Sequence, residues 1–204
     1  PSGCGKSTLL NLLMGGYDTY DGRILFDGDD LRDIASDALF DLVSIVQQNV
    51  FVLNDTFRAN ITMFRDFPEE QIDSAIRRSG LADVVAHKGI DFVCGENGCN
   101  LSGGEKQRLS IARALLRQTP VLLIDEATAA LDAATAYEVT DALLSIQGLT
   151  RIVVTHRLEE SLLRRYDRIL VLRGGTVCEQ GAFDQLMAQD GYFHSLYTVS
   201  QESA

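Results

Sequence analysis

The sequence predicts an α/β fold with a mostly parallel β-sheet and an inserted group of helices, and three stretches carry this prediction. A glycine-rich turn at residues 1–8 (PSGCGKST) opens a leucine-rich helix. The wholly apolar segment at 121–124 is typical of a strand buried in a parallel sheet, and two carboxylates follow it. Residues 100–108 (NLSGGEKQR) place a serine and two glycines where a helix can begin. A helix start and a strand end that carry such groups are typical of a nucleotide site.

The composition limits the kinds of protein that this chain can be. Its 204 residues include 29 acidic and 18 basic side chains, and the net charge of −11 argues against a surface built for nucleic acid or anionic lipid. Four scattered cysteines without a C-x-x-C pair favour a reduced, cytosolic setting. No apolar run approaches the ~20 residues that span a bilayer. Because the chain begins inside a motif, we expect it to be a fragment.

Residues 1–8 match the end of the phosphate-loop pattern G-x-x-x-x-G-K-[ST], whose first glycine is expected just before Pro1. The backbone amides of Gly3, Cys4 and Gly5 can surround a phosphate. Lys6 can reach the β- and γ-phosphate oxygens, and the Ser7 hydroxyl can ligate Mg²⁺. The pattern therefore predicts a site for a nucleoside triphosphate.

The elements that follow the loop are short. We expect a helix that ends at Gly15-Gly16, and strands at 22–27 and 42–46, the first turning at Asp27-Gly28. Gln48 lies just beyond the second strand, where a glutamine is usually only a polar exit from the sheet.

Residues 53–105 are predicted to be a helical subdomain inserted into a core formed by residues 1–52 and 106–204. Helices are expected at 56–63, 69–79 and 81–86, and an exposed turn at 95–98. Ile72, Ala75 and Ile76 would share one buried face of the second helix. The subdomain ends at the Leu-Ser-Gly-Gly segment, where Ser102 can cap the next helix.

The second half of the chain alternates strands and helices. We expect strands at 121–124 and 151–155, a helix that follows Ala130-Leu131-Asp132 and runs through Ser145, a hairpin at 167–172 and 176–180, a last helix at 182–197 and a polar tail from residue 200. Asp125, at the end of its strand, would hold Mg²⁺, and Glu126 would polarise an attacking water. His156 follows a strand, and a lone histidine there is more often structural than catalytic.

Together, the ordered motifs resemble the nucleotide-binding domain of ATP-binding cassette (ABC) transporters, over essentially the whole chain. The resemblance implies a P-loop NTPase (RecA-like) core, the cofactors ATP and Mg²⁺, and catalytic roles for Gln48 and His156 beside Glu126. It also implies that Asp132 lies in a loop at a dimer interface. The residues implied to bind ATP are Ser2, Gly3, Cys4, Gly5, Lys6, Ser7, Thr8, Ser102, Gly103, Gly104 and Asp132, and those implied to bind Mg²⁺ are Ser7, Gln48 and Asp125.

The resemblance further implies two partners. One is a second nucleotide-binding domain in a head-to-tail homo- or heterodimer, in which Ser102, Gly103 and Gly104 contact the ATP of the opposite copy. The other is a transmembrane domain that holds the chain at the cytoplasmic face of the membrane, and no nucleic acid is expected. Residues 56–61 (TFRANI) and 95–98 (GENG) resemble exporters. The alternatives are an importer-type subunit and a soluble ABC ATPase.

One departure from the family pattern lies next to the implied ATP contacts. Glu105 stands where many exporters have glutamine. Since Glu126 and His156 are both present, we expect a site that can hydrolyse ATP rather than a regulatory nucleotide-binding module.

Overall fold

The computed structural model describes residues 3–128 and 130–202, so Pro1, Ser2, Ala129, Ser203 and Ala204 lie outside the description. The chain forms two compact units, one from residues 1–20 and 155–204 and the other from residues 21–154. In chain order the elements are α1 (Lys6–Leu13), β1 (Leu25–Phe26), β2 (Asp29–Asp30), α2 (Ser36–Leu42), β3 (Val43–Val46), α3 (Phe57–Thr62), α4 (Glu69–Arg78), α5 (Ala82–Lys88), α6 (Gly103–Leu116), β4 (Val121–Asp125), α7 (Ala133–Leu144), β5 (Thr150–Val154), α8 (Glu160–Leu163), β6 (Ile169–Arg173), β7 (Thr176–Gly181), α9 (Phe183–Ala188) and α10 (Tyr192–Glu202).

The larger unit is built around a parallel sheet in the order β3-β4-β5. Strand β4 is central and contributes buried Leu122, Leu123 and Ile124, as expected for a strand covered on both faces. Val46 pairs with Ile124, and Asp125 pairs with Val154. The three strands therefore end at one edge of the sheet, which confirms the predicted parallel sheet.

The helices of this unit and its sheet share one hydrophobic core. Phe57 and Ile61 of α3 and Ile72 of α4 are buried with Leu109 of α6 and Leu122 of β4. The predicted apolar face of α4, formed by Ile72, Ala75 and Ile76, is confirmed. The boundaries of the inserted subdomain, residues 53–105 between 1–52 and 106–204, stay a prediction.

The smaller unit contains α1, the C-terminal hairpin and the C-terminal helices. Strands β6 and β7 are antiparallel, as predicted, and they turn at Gly174 and Gly175, whose φ angles are 57° and 82°. A separate core contains Leu163, Phe183 and Phe193. Among the described residues, no helix is both long enough and apolar enough to cross a membrane.

Several predicted boundaries were wrong. The strand expected at 22–27 contains only Leu25–Phe26, and it pairs with Asp29–Asp30 across a two-residue turn. Leu42 belongs to α2, which the sequence did not predict. Of the expected exposed turn at 95–98, the two glycines are buried and only its central residues are exposed.

The single helix expected at 182–197 is two helices, and the expected polar tail from residue 200 is still helical up to Glu202. The helical conformation is interrupted at residues 189–191, where Asp190 has a φ angle of 50°. The Glu179 carboxylate of β7 accepts hydrogen bonds from the amides of Tyr192 (2.5 Å) and Phe193 (2.9 Å). This carboxylate partners amide groups at the start of α10, so a long-range contact fixes where the second helix begins.

Candidate functional site

The phosphate loop curves because two of its glycines have left-handed backbone angles. The φ angle is 78° at Gly3 and 100° at Gly5, the residue that precedes α1. Such angles are readily adopted only without a Cβ atom. A Cβ added to Gly3 would meet no atom within 4 Å, so this glycine is needed for its backbone angle rather than for space.

The side chains of the loop place a cation beside a helix start. Lys6 directs its ammonium to the Sγ atom of buried Cys4 at 3.7 Å, while Ser7 and Thr8 are exposed in the first turn of α1. The first amides of a helix lack partners within the helix, and the helix dipole favours an anion there. The arrangement fits a phosphate. Ser2, predicted to contribute, lies outside the described residues.

Three of the predicted metal and base residues, Gln48, Asp125 and Glu126, lie where strands leave one edge of the parallel sheet. Asp125 is the last residue of β4, and Gln48 follows β3 by two positions. Because β3 and β4 are parallel and in register, both residues leave the sheet at the same end. Asp125 and Glu126 are half-buried and Gln48 is exposed, so carboxylate and amide oxygens line this edge.

Glu126 has an uncommon backbone conformation that the sequence did not signal. Its φ angle is 49°, although it is not a glycine. Its amide donates a hydrogen bond of 3.0 Å to the carbonyl of Val154, which continues the pairing of β4 and β5 by one residue. A left-handed conformation at such a residue costs about 1–3 kcal/mol and persists only where the surrounding structure holds it. The bond to β5 therefore holds Glu126 in a fixed turn at the sheet edge.

The Leu-Ser-Gly-Gly segment forms a helix start with a capping box. The Ser102 hydroxyl accepts from the Glu105 amide (3.2 Å), and the Glu105 carboxylate accepts from the Ser102 amide (2.7 Å). This reciprocal capping box confirms that Ser102 caps α6, which begins at Gly103. Ser102 and Gly103 remain exposed, so a ligand can approach the start of the helix.

The structure brings the loop before α7 against this helix start. A Cβ added to Gly104 would lie 3.3 Å from the Leu131 side chain, so glycine allows the close approach. Gln107, which is 3% exposed, accepts a 3.1 Å hydrogen bond from the Ala130 amide. Asp132 caps α7 through the Thr135 amide (3.0 Å), and this bond lowers the pKa of the Asp132 carboxyl. Gln107 was missed by the sequence analysis, although it lies one helical turn after Gly103 and Gly104.

A second link ties α6 to the segment that follows Gln48. Buried Asn60 accepts from the Leu53 amide (2.8 Å) and donates to three carbonyls of residues 53–56. Arg113 of α6 donates to the Asn60 carbonyl (2.8 Å) and to the Phe51 carbonyl (3.1 Å). Burial lowers the pKa of the Arg113 guanidinium. These residues were also missed, because only the folded chain brings them together.

His156 belongs to the smaller unit and is exposed. Its loop is shaped by Thr155, whose hydroxyl accepts from the Arg157 amide at 3.0 Å. Gln201 of α10 donates to the Leu158 carbonyl at 3.1 Å and ties the same loop to the C-terminal helix. Hydrogen bonds therefore fix the loop near both of its ends, and the His156 side chain between them is exposed.

The predicted metal ligands fit magnesium by their chemistry. Ser7, Gln48 and Asp125 offer hydroxyl, amide and carboxylate oxygens, the donors that Mg²⁺ prefers. In the part of the chain that the structure describes, no cluster of three or more His, Cys, Asp or Glu side chains could hold a metal ion by itself.

A parallel sheet with carboxylates at its edge, a glycine-rich phosphate loop and a capped, exposed helix start are the features of a P-loop nucleoside triphosphatase domain. A family model described as "ABC transporter" matches residues 1–129, more than half of the chain. The chain belongs to the ABC transporter family. As an ABC ATPase domain it binds ATP, and the predicted fold class is confirmed.

Three proteins similar to this chain are each longer than it. An ATP-dependent lipid A-core flippase of Burkholderia orbicola (strain AU 1054) is 40% identical over 205 residues, which cover 99% of this chain and 34% of the flippase. The flippase of Syntrophus aciditrophicus (strain SB) is 43% identical over 202 residues, with coverages of 97% and 33%. A solved bacterial Atm1-family ABC exporter with ATP bound has a TM-score of 0.92 and 38% identity, with coverages of 100% and 36%. The chain therefore spans about a third of the length of these relatives.

Proposed function

We propose that this chain hydrolyses ATP with Mg²⁺ and thereby powers export of a substrate through a transmembrane domain. Two observations support export over import: the similar curated proteins are named flippases, and the similar solved structure is titled an exporter. The chain spans about a third of each relative, which leaves length for membrane helices elsewhere in such a protein. The chain would then act at the cytoplasmic face of the membrane.

The proposed chemistry assigns one task to each group. Lys6 and the amides of the phosphate loop hold the β- and γ-phosphates, and Thr8 lines the same loop. Ser7, Gln48 and Asp125 would hold Mg²⁺, which when bound neutralises developing charge on the phosphates.

Two further side chains complete the reaction centre. Glu126 accepts a proton from the attacking water, and Gln48 orients that water. His156 donates a hydrogen bond to a γ-phosphate oxygen and stabilises its charge in the transition state. None of these steps needs a covalent bond between the protein and the phosphate.

The observation that carries the proposal is the conformation of Glu126. Its left-handed backbone, held by the Val154 carbonyl, places a half-buried carboxylate directly after Asp125 at the sheet edge. A general base must be held within reach of one water molecule, and a fixed backbone provides that control.

A second copy of the domain, identical or related, is proposed to complete each ATP site. Ser102, Gly103 and Gly104 would contact the γ-phosphate of the ATP bound by the opposite copy, and Asp132 would cross the interface. The exposure of Ser102 and Gly103 supports this proposal, because a capped helix start open to solvent can accept an external anion.

The test is phosphate release by the complete protein with Glu126→Gln. We expect turnover to fall by about 10²-fold or more, because general-base catalysis contributes roughly 10²–10⁴-fold. ATP binding should be retained, since the amide keeps the size of the carboxylate. Glu138→Gln, an exposed change on α7, is the matched control and should leave turnover unchanged. Unchanged phosphate release in Glu126→Gln would refute the general-base role.

A further inference from the structure

A half-buried lysine, Lys88, is connected to the start of α6 through the one acidic residue of the capping box. The Lys88 ammonium lies 2.8 Å from the Oε1 atom of Glu105. The other carboxylate oxygen of Glu105, Oε2, accepts the 2.7 Å hydrogen bond from the Ser102 amide. One carboxylate thus connects Lys88 to the backbone of Ser102, with one oxygen for each partner.

Lys88 is held in place by contacts other than the ion pair. Its ammonium donates to the Asn100 carbonyl at 3.3 Å and lies 5.1 Å from the centre of the Phe92 ring. Phe92 in turn stacks on fully buried Phe57, with ring centres 5.8 Å apart. A lysine fixed in this way loses less freedom on pairing than one on an open surface, so its pairing with Glu105 is more effective.

The pair is poorly screened by solvent. The side chains of Lys88 and Glu105 are 24% and 14% exposed. Burial by itself would raise the pKa of the Glu105 carboxyl, but the hydrogen bonds from Lys88 and from the Ser102 backbone outweigh it and hold that pKa below its ordinary value. Glu105 is therefore a charged group in the first turn of α6.

That charge lies where the proposed function needs to attract an anion. An uncompensated carboxylate in the first turn of α6 would oppose an approaching γ-phosphate, although it favours the helix itself. A neutral glutamine would form the same capping bond without this repulsion. The sequence has glutamate there, and the structure supplies a cation for it.

We infer that Lys88 is a positioning residue for ATP binding in the opposite copy, acting through Glu105. It neutralises the carboxylate at the start of α6 and orients that carboxylate toward the Ser102 amide. Ser102, Gly103 and Gly104 can then bind a phosphate without repulsion from the Glu105 carboxylate. This inference rests on the proposed function of the Leu-Ser-Gly-Gly segment.

The experiment is a double-mutant cycle in the complete protein. Its four members are the wild type, Lys88→Met, Glu105→Gln and the double variant. The KM for ATP and the kcat are measured for each. In the wild-type background, Lys88→Met should raise the KM about fivefold, the effect of about one kcal/mol, with a smaller change in kcat. In the Glu105→Gln background, the same change should raise the KM by less than about twofold, because no carboxylate is left to neutralise.

A matched control removes a different ion pair from the same unit. Arg58→Met breaks the 2.6 Å pair with Glu69, whose side chain is 68% exposed, and should leave the KM for ATP unchanged. Thermal unfolding of every variant shows whether Lys88→Met merely loosens the fold. The inference would be overturned if Lys88→Met lowered stability and raised the KM equally in the wild-type and Glu105→Gln backgrounds. An unchanged KM in Lys88→Met would also overturn it.

Equilibrium binding of a non-hydrolysable ATP analogue provides the same comparison without turnover. Wild-type protein that binds the analogue but releases no phosphate would contradict the proposed hydrolysis alone. The same pattern of analogue affinities across the four proteins would still support the role of Lys88. Equal affinities of the wild type and Lys88→Met for the analogue would overturn the proposed role of Lys88.

Discussion

At the scale of single residues, Asn60 is a buried polar group that forms several hydrogen bonds beside the site. It is 0% exposed, and its amide binds the backbone of residues 53–56 while Arg113 binds both its carbonyl and its side chain. An apolar residue of similar size would fill the space but leave these backbone groups without partners. Buried polar groups that lose their partners are costly.

Asn60→Ala is therefore expected to destabilise the protein by about 2–4 kcal/mol. The change removes the amide partners of several partly buried backbone groups and leaves Arg113 without the side-chain oxygen of Asn60. Calorimetric or chemical unfolding measures the loss. Asn54→Ala is the matched control, since Asn54 lies in the same segment and is exposed, and its effect should be within about 0.5 kcal/mol. Equal effects of the two changes would contradict the importance of the network.

Residue-scale features were predictable from the sequence where their cause is local. The cap at Ser102 follows from a serine three positions before Glu105, and the phosphate loop follows from the spacing of Gly3, Gly5 and Lys6. The left-handed Glu126 was not predictable, because the hydrogen bond that holds it comes from Val154 on another strand.

At the scale of elements, the C-terminal helices show how a strand can set a helix boundary. Glu179 of β7 accepts hydrogen bonds from the first amides of α10, and the chain turns at Asp190 and Gly191 to allow this. A Cβ added to Gly191 would collide with the Glu179 carboxylate. The glycine is thus required for space rather than for its backbone angle.

Gly191→Ala is expected to cost about 1–3 kcal/mol of stability, because the carboxylate must move away from the amides that it caps. In a Glu179→Ala background the collision partner is absent, so the same change should be neutral or stabilise by up to about 1 kcal/mol. Thermal unfolding of the four proteins measures both effects. A cost of Gly191→Ala that is the same in the two backgrounds would show that the collision is not its cause.

Element-scale prediction succeeded for segments with a strong local pattern. The apolar run of β4, the amphipathic face of α4 and the hairpin of β6 and β7 were all visible in the sequence. Helix α2 was missed, because only Leu39 of its residues is buried and no apolar stripe marks it. The division of α9 from α10 was missed because the acceptor that starts α10 is distant in sequence.

At the scale of the whole molecule, the chain has the parts of an ATPase but only a third of the length of its transporter relatives. Its net charge of −11 shows that attraction of ATP depends on local groups rather than on the overall field. Lys6, the glycines of the phosphate loop and the start of α6 are the local groups that favour an anion. The proposed sharing of ATP between two copies is what the family resemblance implies, and the exposure of the α6 start supports it.

The most direct test of the proposal that two copies complete each ATP site is phosphate release by a mixed pair. One copy carries Lys6→Ala, which removes its phosphate-binding ammonium, and the other carries Ser102→Arg, which blocks the start of α6. Each variant paired with itself should be inactive, because every site then contains one defect. The two copies carry different tags, so that only mixed pairs are purified.

In a head-to-tail mixed pair, one ATP site contains both substitutions. The other site contains the unchanged Lys6 of one copy and the unchanged Ser102 of the other. If each ATP site is shared between two copies, phosphate release should reappear in the mixed pair. Its rate should reach up to about half of the wild-type rate if the two sites turn over independently. A mixed pair as inactive as either parent, while it still binds ATP, would contradict the sharing of each site between two copies.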